Sequence, residues 1–325
     1  MENRVEGYDI IGDIHGCASK LEELLKELGY SSCETSSDST GSDKNVFYTH
    51  KQRKAIFVGD FIDRGTEQLK LLNMVMAMVK NGSALAVMGN HEFNAIGFHT
   101  PKPDCDGEWL RERSTKNIRQ HQAYLNDLDT PQNMKKHTEV LEFFRSLPLW
   151  LDLGELRVIH ACWSEEQMQV IKPLLKSDNT LSKDAIYESN SKGSAAYNAV
   201  EILLKGMEYT PGNGFSFNDK DGNPRQKLRV KWWLNNYSTL RELALPEALN
   251  GNNKAAQTHV PANVTCGYPA FEPPVFFGHY WMEGRPQILA DNVACVDYSV
   301  ANDGKLVAYR WSGEQKLSND NFVFI

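Results

Sequence analysis

Short apolar runs alternate with stretches of helical spacing over the first third of the chain. Residues 8–11 form one such run, after which Leu21, Leu24, Leu25 and Leu28 recur at the spacing of a single helix face. Residues 55–58 predict a second strand, 69–79 a second helix and 84–88 a third strand. A strand that is apolar at every position is buried on both faces. The alternation therefore predicts a mainly parallel sheet flanked by helices.

The middle of the chain changes character. Residues 99–130 are polar and charged, with helical pieces near 116–128 and 136–147, and 149–153 and 156–159 pattern as paired strands. Residues 164–274 are the least regular, with turns such as Pro211-Gly212-Asn213-Gly214 and the stretch 219–224. Long irregular segments inside compact domains are commonly functional loops, so 164–274 is expected to be a cap or insertion within one domain spanning 1–325. Apolar runs return at 275–277, 287–289, 293–296 and 305–310, as expected of a second sheet's meander. The Ser/Thr/Asp-rich stretch 31–43 predicts a flexible surface loop. The fold class that follows is α/β, a four-layer α/β/β/α sandwich with an inserted cap region.

Composition changes this picture little. Of 325 residues, 41% are hydrophobic and 24% charged, so a soluble globular core is affordable without disulfides. A formal net charge of -7 makes duplex nucleic acid an improbable partner, although bound cations can reverse the potential inside one cleft. Six scattered cysteines with no Cys-X-X-Cys spacing remove a thiolate zinc site and predict free thiols in a cytoplasmic setting. No secretory signal pattern opens the chain, and the longest apolar run, 71–79, is too short to span a membrane.

The chemistry gathers where strands stop. The first runs into Gly12-Asp13-Ile14-His15-Gly16, the second into Gly59-Asp60-Phe61-Ile62-Asp63-Arg64-Gly65, and the third into Gly89-Asn90-His91-Glu92. Two later strands end at His160 and at Gly278-His279. In open α/β sheets the crevice at the carboxyl ends of strands is where ligands bind. Any one of these residues alone has an ordinary structural use, as a helix cap, a turn residue or a core histidine. Together, Asp13, His15, Asp60, Asn90, His160 and His279 form an oxygen and nitrogen donor set suited to Mn, Fe or Zn.

These motifs, in this order, resemble the calcineurin-like metallophosphoesterases of the phosphoprotein phosphatase type. Gly304-Lys305-Leu306-Val307-Ala308-Tyr309-Arg310 is in addition similar to the tail of bacterial diadenosine-tetraphosphatase-like members. The resemblance implies two divalent or trivalent metal ions, Mn or Fe with Zn as a third choice. Asp13 and His15 would hold the first ion, Asp60 would bridge, and Asn90, His160 and His279 would complete the second. It also implies direct attack on the phosphoryl group by a hydroxide bridging the metals, with no covalent intermediate. His91 matches the general acid, Asp63 its orienting carboxylate and Arg64 a phosphate clamp. Such families carry a second phosphate-binding arginine; Arg229 is favoured over Arg225 because Trp232 and Trp233 follow it. Asp297 is a candidate partner orienting a metal-held histidine.

Two departures bear on substrate. His160 is followed by Ala161-Cys162-Trp163 rather than Gly-Gly, and Tyr298-Ser299-Val300-Ala301-Asn302 stands where the eukaryotic branch has Ser-Ala-Pro-Asn-Tyr. The expected activity is phosphomonoester hydrolysis on a phosphorylated protein or small molecule. Dinucleoside polyphosphate hydrolysis is the alternative, and Trp109, Trp163, Trp232, Trp233 and Trp281 are candidates to stack on a base. A rival from another class is a phosphate-binding scaffold without turnover, which would require damage to at least one ligand position.

Overall fold

The computed structural model describes residues 5–34, 46–103, 105–212, 215–218, 224–245 and 256–325. The chain opens with β1 (Gly7–Ile11), α1 (Ala18–Glu27), a hairpin of β2 (Ser31–Glu34) and β3 (Val46–Thr49), then β4 (Arg53–Phe57), α2 (Gln68–Lys80) and β5 (Ala84–Ala86). Helices α3 (Asn90–Phe98), α4 (Thr115–Gln120), α5 (Gln122–Asp127) and α6 (Met134–Arg145) precede β6 (Trp150–Asp152) and β7 (Arg157–Ile159). Next come α7 (Glu165–Ile171), α8 (Lys183–Asn190) and α9 (Ala195–Lys205). Two-residue strands β8 (Glu208–Tyr209), β9 (Phe217–Asn218), β10 (Pro224–Arg225) and β11 (Leu228–Arg229) lead to α10 (Leu240–Leu243). The chain closes with β12 (Val275–Phe277), β13 (Val293–Cys295), β14 (Asp297–Tyr298), β15 (Lys305–Trp311) and β16 (Phe322–Phe324).

Two sheets carry the molecule. The first runs β14-β15-β1-β4-β5, with β16 also on β15, and the second runs β13-β12-β7-β6. Their strands alternate cleanly between two environments. Ile10, Ile56, Val158, Phe276, Ala294, Val307 and Tyr309 share the core between the sheets. Their neighbours Ile11, Phe57, Ile159, Phe277 and Cys295 join the core under the helices. Both faces of the inner strands are thus dry, which is why their runs are almost wholly apolar. Helices α1 and α2 cover the first sheet with the expected Leu21, Leu24, Leu25, Leu71 and Leu72 buried. On the second sheet, Ala161 and Cys162 donate backbone bonds to Leu203 of α9, and Trp232 and Trp233 pack on Phe277 at 5.2 and 5.4 Å. The architecture is the α/β/β/α sandwich.

A charged anchor joins distant parts of the first sheet. Asp9 is fully buried on β1 and accepts from Arg53 on β4 (3.1 Å), Arg310 on β15 (3.0 Å) and Tyr30 (3.1 Å). Removing one partner of such a cluster strands a buried charge.

Several expectations need correction. The C-terminal runs are not a meander: β12 pairs in parallel with β13 and β7, while β15 leaves for the first sheet and lies antiparallel to β1. Residues 287–289 form no strand, because the Gln287 and Ile288 amides donate to Tyr298 Oη and Asn319 Oδ1 instead of a ladder. Ser31–Glu34 is the exposed strand of a hairpin with β3 rather than loop, and 35–43 lies outside the described residues. Within 165–205 stand three regular helices, α7, α8 and α9, each begun by a serine cap: Ser164, Ser182 and Ser194 accept from the amides of Gln167, Ala185 and Tyr197. The turn residues 213–214 and 219–223 also lie outside the described residues. No helix of the described residues is long and apolar enough to cross a membrane, and the six cysteines are unpaired.

Phe276 is fully buried between the sheets, with its ring 5.0 Å from that of Tyr309. Phe276→Ala is expected to cost about 3–5 kcal/mol, read as a lower urea midpoint at unchanged m-value.

Candidate metal centre

Five strand ends converge. The loops after β1, β4, β5, β7 and β12 deliver Asp13 and His15, Asp60 to Arg64, Asn90 and His91, His160, and His279. Making them converge strains the backbone. His15, Asp60, Asp63, Arg64, His279 and Trp281 all have positive φ, between 46° and 71°. Each non-glycine residue in that region costs about 1–3 kcal/mol unless its surroundings hold it. The holding groups are visible. Glu92, fully buried, accepts from the amides of Asp60 (2.8 Å), Phe61 (2.8 Å) and Gly89 (3.0 Å). Gln68 accepts from the Asp63 amide (3.0 Å) and donates to the Gly65 carbonyl (2.6 Å). Close approach also dictates glycine: a Cβ on Gly278 would lie 2.0 Å from Asp13 Oδ1.

Asp60 stands at the middle. Its Oδ2 faces His15 Nε2 (3.6 Å) and His91 Nε2 (3.9 Å), while Oδ1 faces His160 Nε2 (3.4 Å) and accepts from the His91 amide (3.0 Å). Burial alone would raise its carboxyl, but His160, His91 and His15 together hold it well below the usual range. Two donor groups share it: His15, Asp60 and His91 form one, and Asp60, His160 and His279 the other, with ligand atoms within 4.8 Å in each. Asp13 lies outside both groups at that spacing. Asp13 turns Oδ2 to the His279 amide (3.0 Å) and leaves Oδ1 without a partner. Asn90 Oδ1 lies 3.1 Å from His160 Nε2.

The residues fit a bound cation on their own chemistry. His15 and His160 donate Nδ1–H to the carbonyls of Ile62 (2.9 Å) and Val58 (2.8 Å). Each Nε2 is thereby turned towards carboxylate or amide oxygen. Burial, then His91, pushes His15 down to about 3, so a lone pair rather than a proton faces Asp60. Four buried atoms here, Asp13 Oδ1, His15 Nε2, and Nδ1 and Nε2 of His279, have no hydrogen-bond partner. Burial, with Asp297 and Asp60 close by, drives the Asp13 carboxyl well above its ordinary range. Lone pairs and carboxylates facing one another in a dry crevice are what divalent cations relieve.

Beside this set, His91 Nδ1 lies 2.5 Å from Asp63 Oδ2. Burial opposes charge on His91, yet Asp60 and Asp63 raise its pKa above the ordinary value. Arg64 is held among Asp60, Asp297, Asp13 and Asp63, with its guanidinium stacked 3.9 Å over the Trp281 ring. Arg229 reaches the site, with Nη1 3.3 Å from the His279 carbonyl, whereas Arg225 is exposed on the β9–β10 hairpin. Asp297 accepts from the Trp281 and Ser299 amides (2.7 and 3.0 Å) and bonds to no histidine ring, so it shapes the Trp281 loop. Of the five candidate tryptophans, Trp163, Trp232 and Trp233 are buried packing residues, Trp109 stacks with Arg113, and Trp281 adjoins the crevice beneath Arg64. Reading by motif passed over the tasks of Glu92 and Gln68. Glu92 was visible at the end of Gly89-Asn90-His91-Glu92; Gln68 carries no local signal.

Residues 8–279 match the family model described as calcineurin-like phosphoesterase. The chain belongs to the calcineurin-like phosphoesterase family. That family comprises hydrolases of phosphoester or phosphoanhydride bonds that depend on bound metal. Among curated relatives, a bis(5'-nucleosyl)-tetraphosphatase PrpE of Oceanobacillus iheyensis is 33% identical over 154 residues, 47% of this chain and 54% of that protein. Its namesake from Bacillus subtilis is 27% identical over 157 residues, covering 47% and 57%. The chain therefore spans about half the length of the curated relatives it matches. Among solved structures, a Saccharomyces cerevisiae protein serine/threonine phosphatase gives a TM-score of 0.49 at 14% identity, covering 100% of this chain and 80% of that one. A cold-active protein-tyrosine phosphatase of a Shewanella species gives 0.45 at 17% identity, covering 97% and 81%. Neither likeness speaks to substrate.

Asp60→Asn removes the charge common to both donor groups while keeping size. The expected outcome is loss of bound metal, measured as metal per chain by plasma mass spectrometry, together with loss of phosphate release.

Proposed function

We propose that this phosphoesterase hydrolyses phosphomonoesters at a two-metal centre held by Asp13, His15, Asp60, Asn90, His160 and His279. The observation that carries this reading is Asp60, whose two oxygens face separate histidine sets. Bound metal ions would supply Lewis acidity towards a phosphoryl oxygen and lower the pKa of water. The protein's own residues do the rest. His15 and His160, tied at Nδ1 to backbone carbonyls, keep Nε2 aimed inward. Arg64, braced by Trp281, offers its planar fork to two phosphoryl oxygens, and Arg229 lies on the His279 side to offer a second. His91 carries a proton at Nε2 for the departing oxygen, and Asp63 takes its Nδ1–H, fixing the ring and favouring the charged form. Mn or Fe suits the mixed donor set. The segment 164–274 is an insertion within one catalytic domain spanning 1–325, contributing Arg229 from its own fold. Unpaired cysteines agree with a cytoplasmic setting.

A second substrate reading, hydrolysis of dinucleoside polyphosphates, is favoured by the names of the curated relatives. It uses the same centre, with the leaving group a nucleotide instead of an alcohol. With Mn²⁺ present, specificity constants for p-nitrophenyl phosphate, a phosphoserine peptide and diadenosine tetraphosphate decide between the two. A phosphate-binding scaffold would turn over none of them and would hold no stoichiometric metal.

His91→Ala is expected to keep its metals yet lose about 10²–10⁴-fold in kcat on an alkyl phosphate, and far less on p-nitrophenyl phosphate. Equal losses on both would remove the acid role. Activity abolished by EDTA should return on adding Mn²⁺, followed by phosphate release on the refilled protein.

A further inference from the structure

Asp63 has a second histidine partner that the reaction scheme does not use. His121 Nδ1 lies 2.8 Å from Asp63 Oδ1, while His91 Nδ1 holds Oδ2 at 2.5 Å. A carboxylate bonded through one oxygen can still swing about its Cβ–Cγ bond. One bonded through both cannot, and its plane then fixes the ring beyond it. We infer that His121 is a positioning residue for the general acid, pinning Asp63 so that Asp63 in turn aims His91.

The surroundings of His121 favour this use. It sits in the break between α4 and α5, with its backbone amide reaching the carbonyls of Asn117 and Ile118. Its ring stacks on Tyr124 (4.6 Å, 13°) and meets Phe98 edge-on (5.2 Å), so its direction is locked by packing. The residue is 5% exposed, and Nε2 has no partner. A buried imidazole that leaves one nitrogen unsatisfied is poorly placed for its own stability. It is well placed for the bond that Nδ1–H makes to Asp63. Lying 58 residues from Asp63 in sequence, it couples the α4–α5 region to the loop after β4.

This inference rests on the acid role proposed for His91, and the test separates the two. His121→Ala removes the donor. His121→Asn restores one, because its Nδ2 occupies the position of the imidazole Nδ1. Kinetics on an alkyl phosphate and on p-nitrophenyl phosphate are compared for both variants, for His91→Ala and for His91→Ala/His121→Ala, with metal content checked on each. The expected result is about a tenfold loss of kcat for His121→Ala on the alkyl phosphate, the scale of one lost hydrogen bond. KM should be unchanged, p-nitrophenyl phosphate spared and activity largely recovered in His121→Asn. Adding His121→Ala to His91→Ala should then cost nothing more. A selective loss in His91→Ala combined with equal losses on both substrates in His121→Ala, or with full additivity in the double variant, overturns the role of His121 alone. Loss without selectivity in His91→Ala overturns the acid reading and this inference with it. Should the alanine variant fail to fold, His121→Phe takes its place, keeping a ring against Tyr124 without the donor: a loss on the alkyl phosphate that His121→Asn recovers supports the inference, and equal kcat in the two variants overturns it.

Discussion

One buried carboxylate facing three imidazoles sets the terms for the rest of this molecule. Asp60 cannot hold His15, His91 and His160 about its two oxygens from an ordinary loop, and its own φ of 51° records the cost. The neighbouring structure exists in large part to keep that conformation. Glu92 binds three amides at once, Gln68 clamps the next turn, and glycines stand where a side chain would collide. None of these groups has to touch a substrate. Their common task is to hold charged and lone-pair atoms closer together than they would choose to be.

The sandwich makes such crowding affordable. Apart from the Asp9 cluster, strands apolar on both faces leave polar side chains to gather at their ends, and two sheets stacked face to face bring their carboxyl ends into one crevice. β1, β4 and β5 contribute from the first sheet; β7 and β12 contribute from the second. A single sheet could supply only one side of such a cluster. With two, His160 and His279 from the second meet His15 and His91 from the first about Asp60.

Much of this was legible from the residues because the signal was local. Gly12-Asp13, Gly59-Asp60, Gly89-Asn90 and Gly278-His279 each follow an apolar run that stops abruptly, and the structure brings all of these ends together. What failed to show was non-local or lacked a hydrophobic period. β2 is polar and mostly exposed, so no alternation betrays it. The departure of β15 to pair with β1 depends on register across the whole chain. His121 looks like any polar helical residue until α4 and α5 part around it. Nor does a motif show how a side chain divides its atoms: Asp13 accepts from the His279 amide through Oδ2 and leaves Oδ1 unpartnered.

The anchoring of Asp9 by Arg310 bears on how this protein is made. The two residues are 301 positions apart, and the strands that carry them lie side by side. Arg53 on β4 can meet Asp9 after a short stretch of chain, but the other edge of β1 stays uncovered until β15 has been made. A contact of that sequence separation closes slowly compared with the local pairing of β1, β4 and β5. Arg310 thus acts as a late latch on a sheet already begun, and the buried charge it reaches rewards the closure.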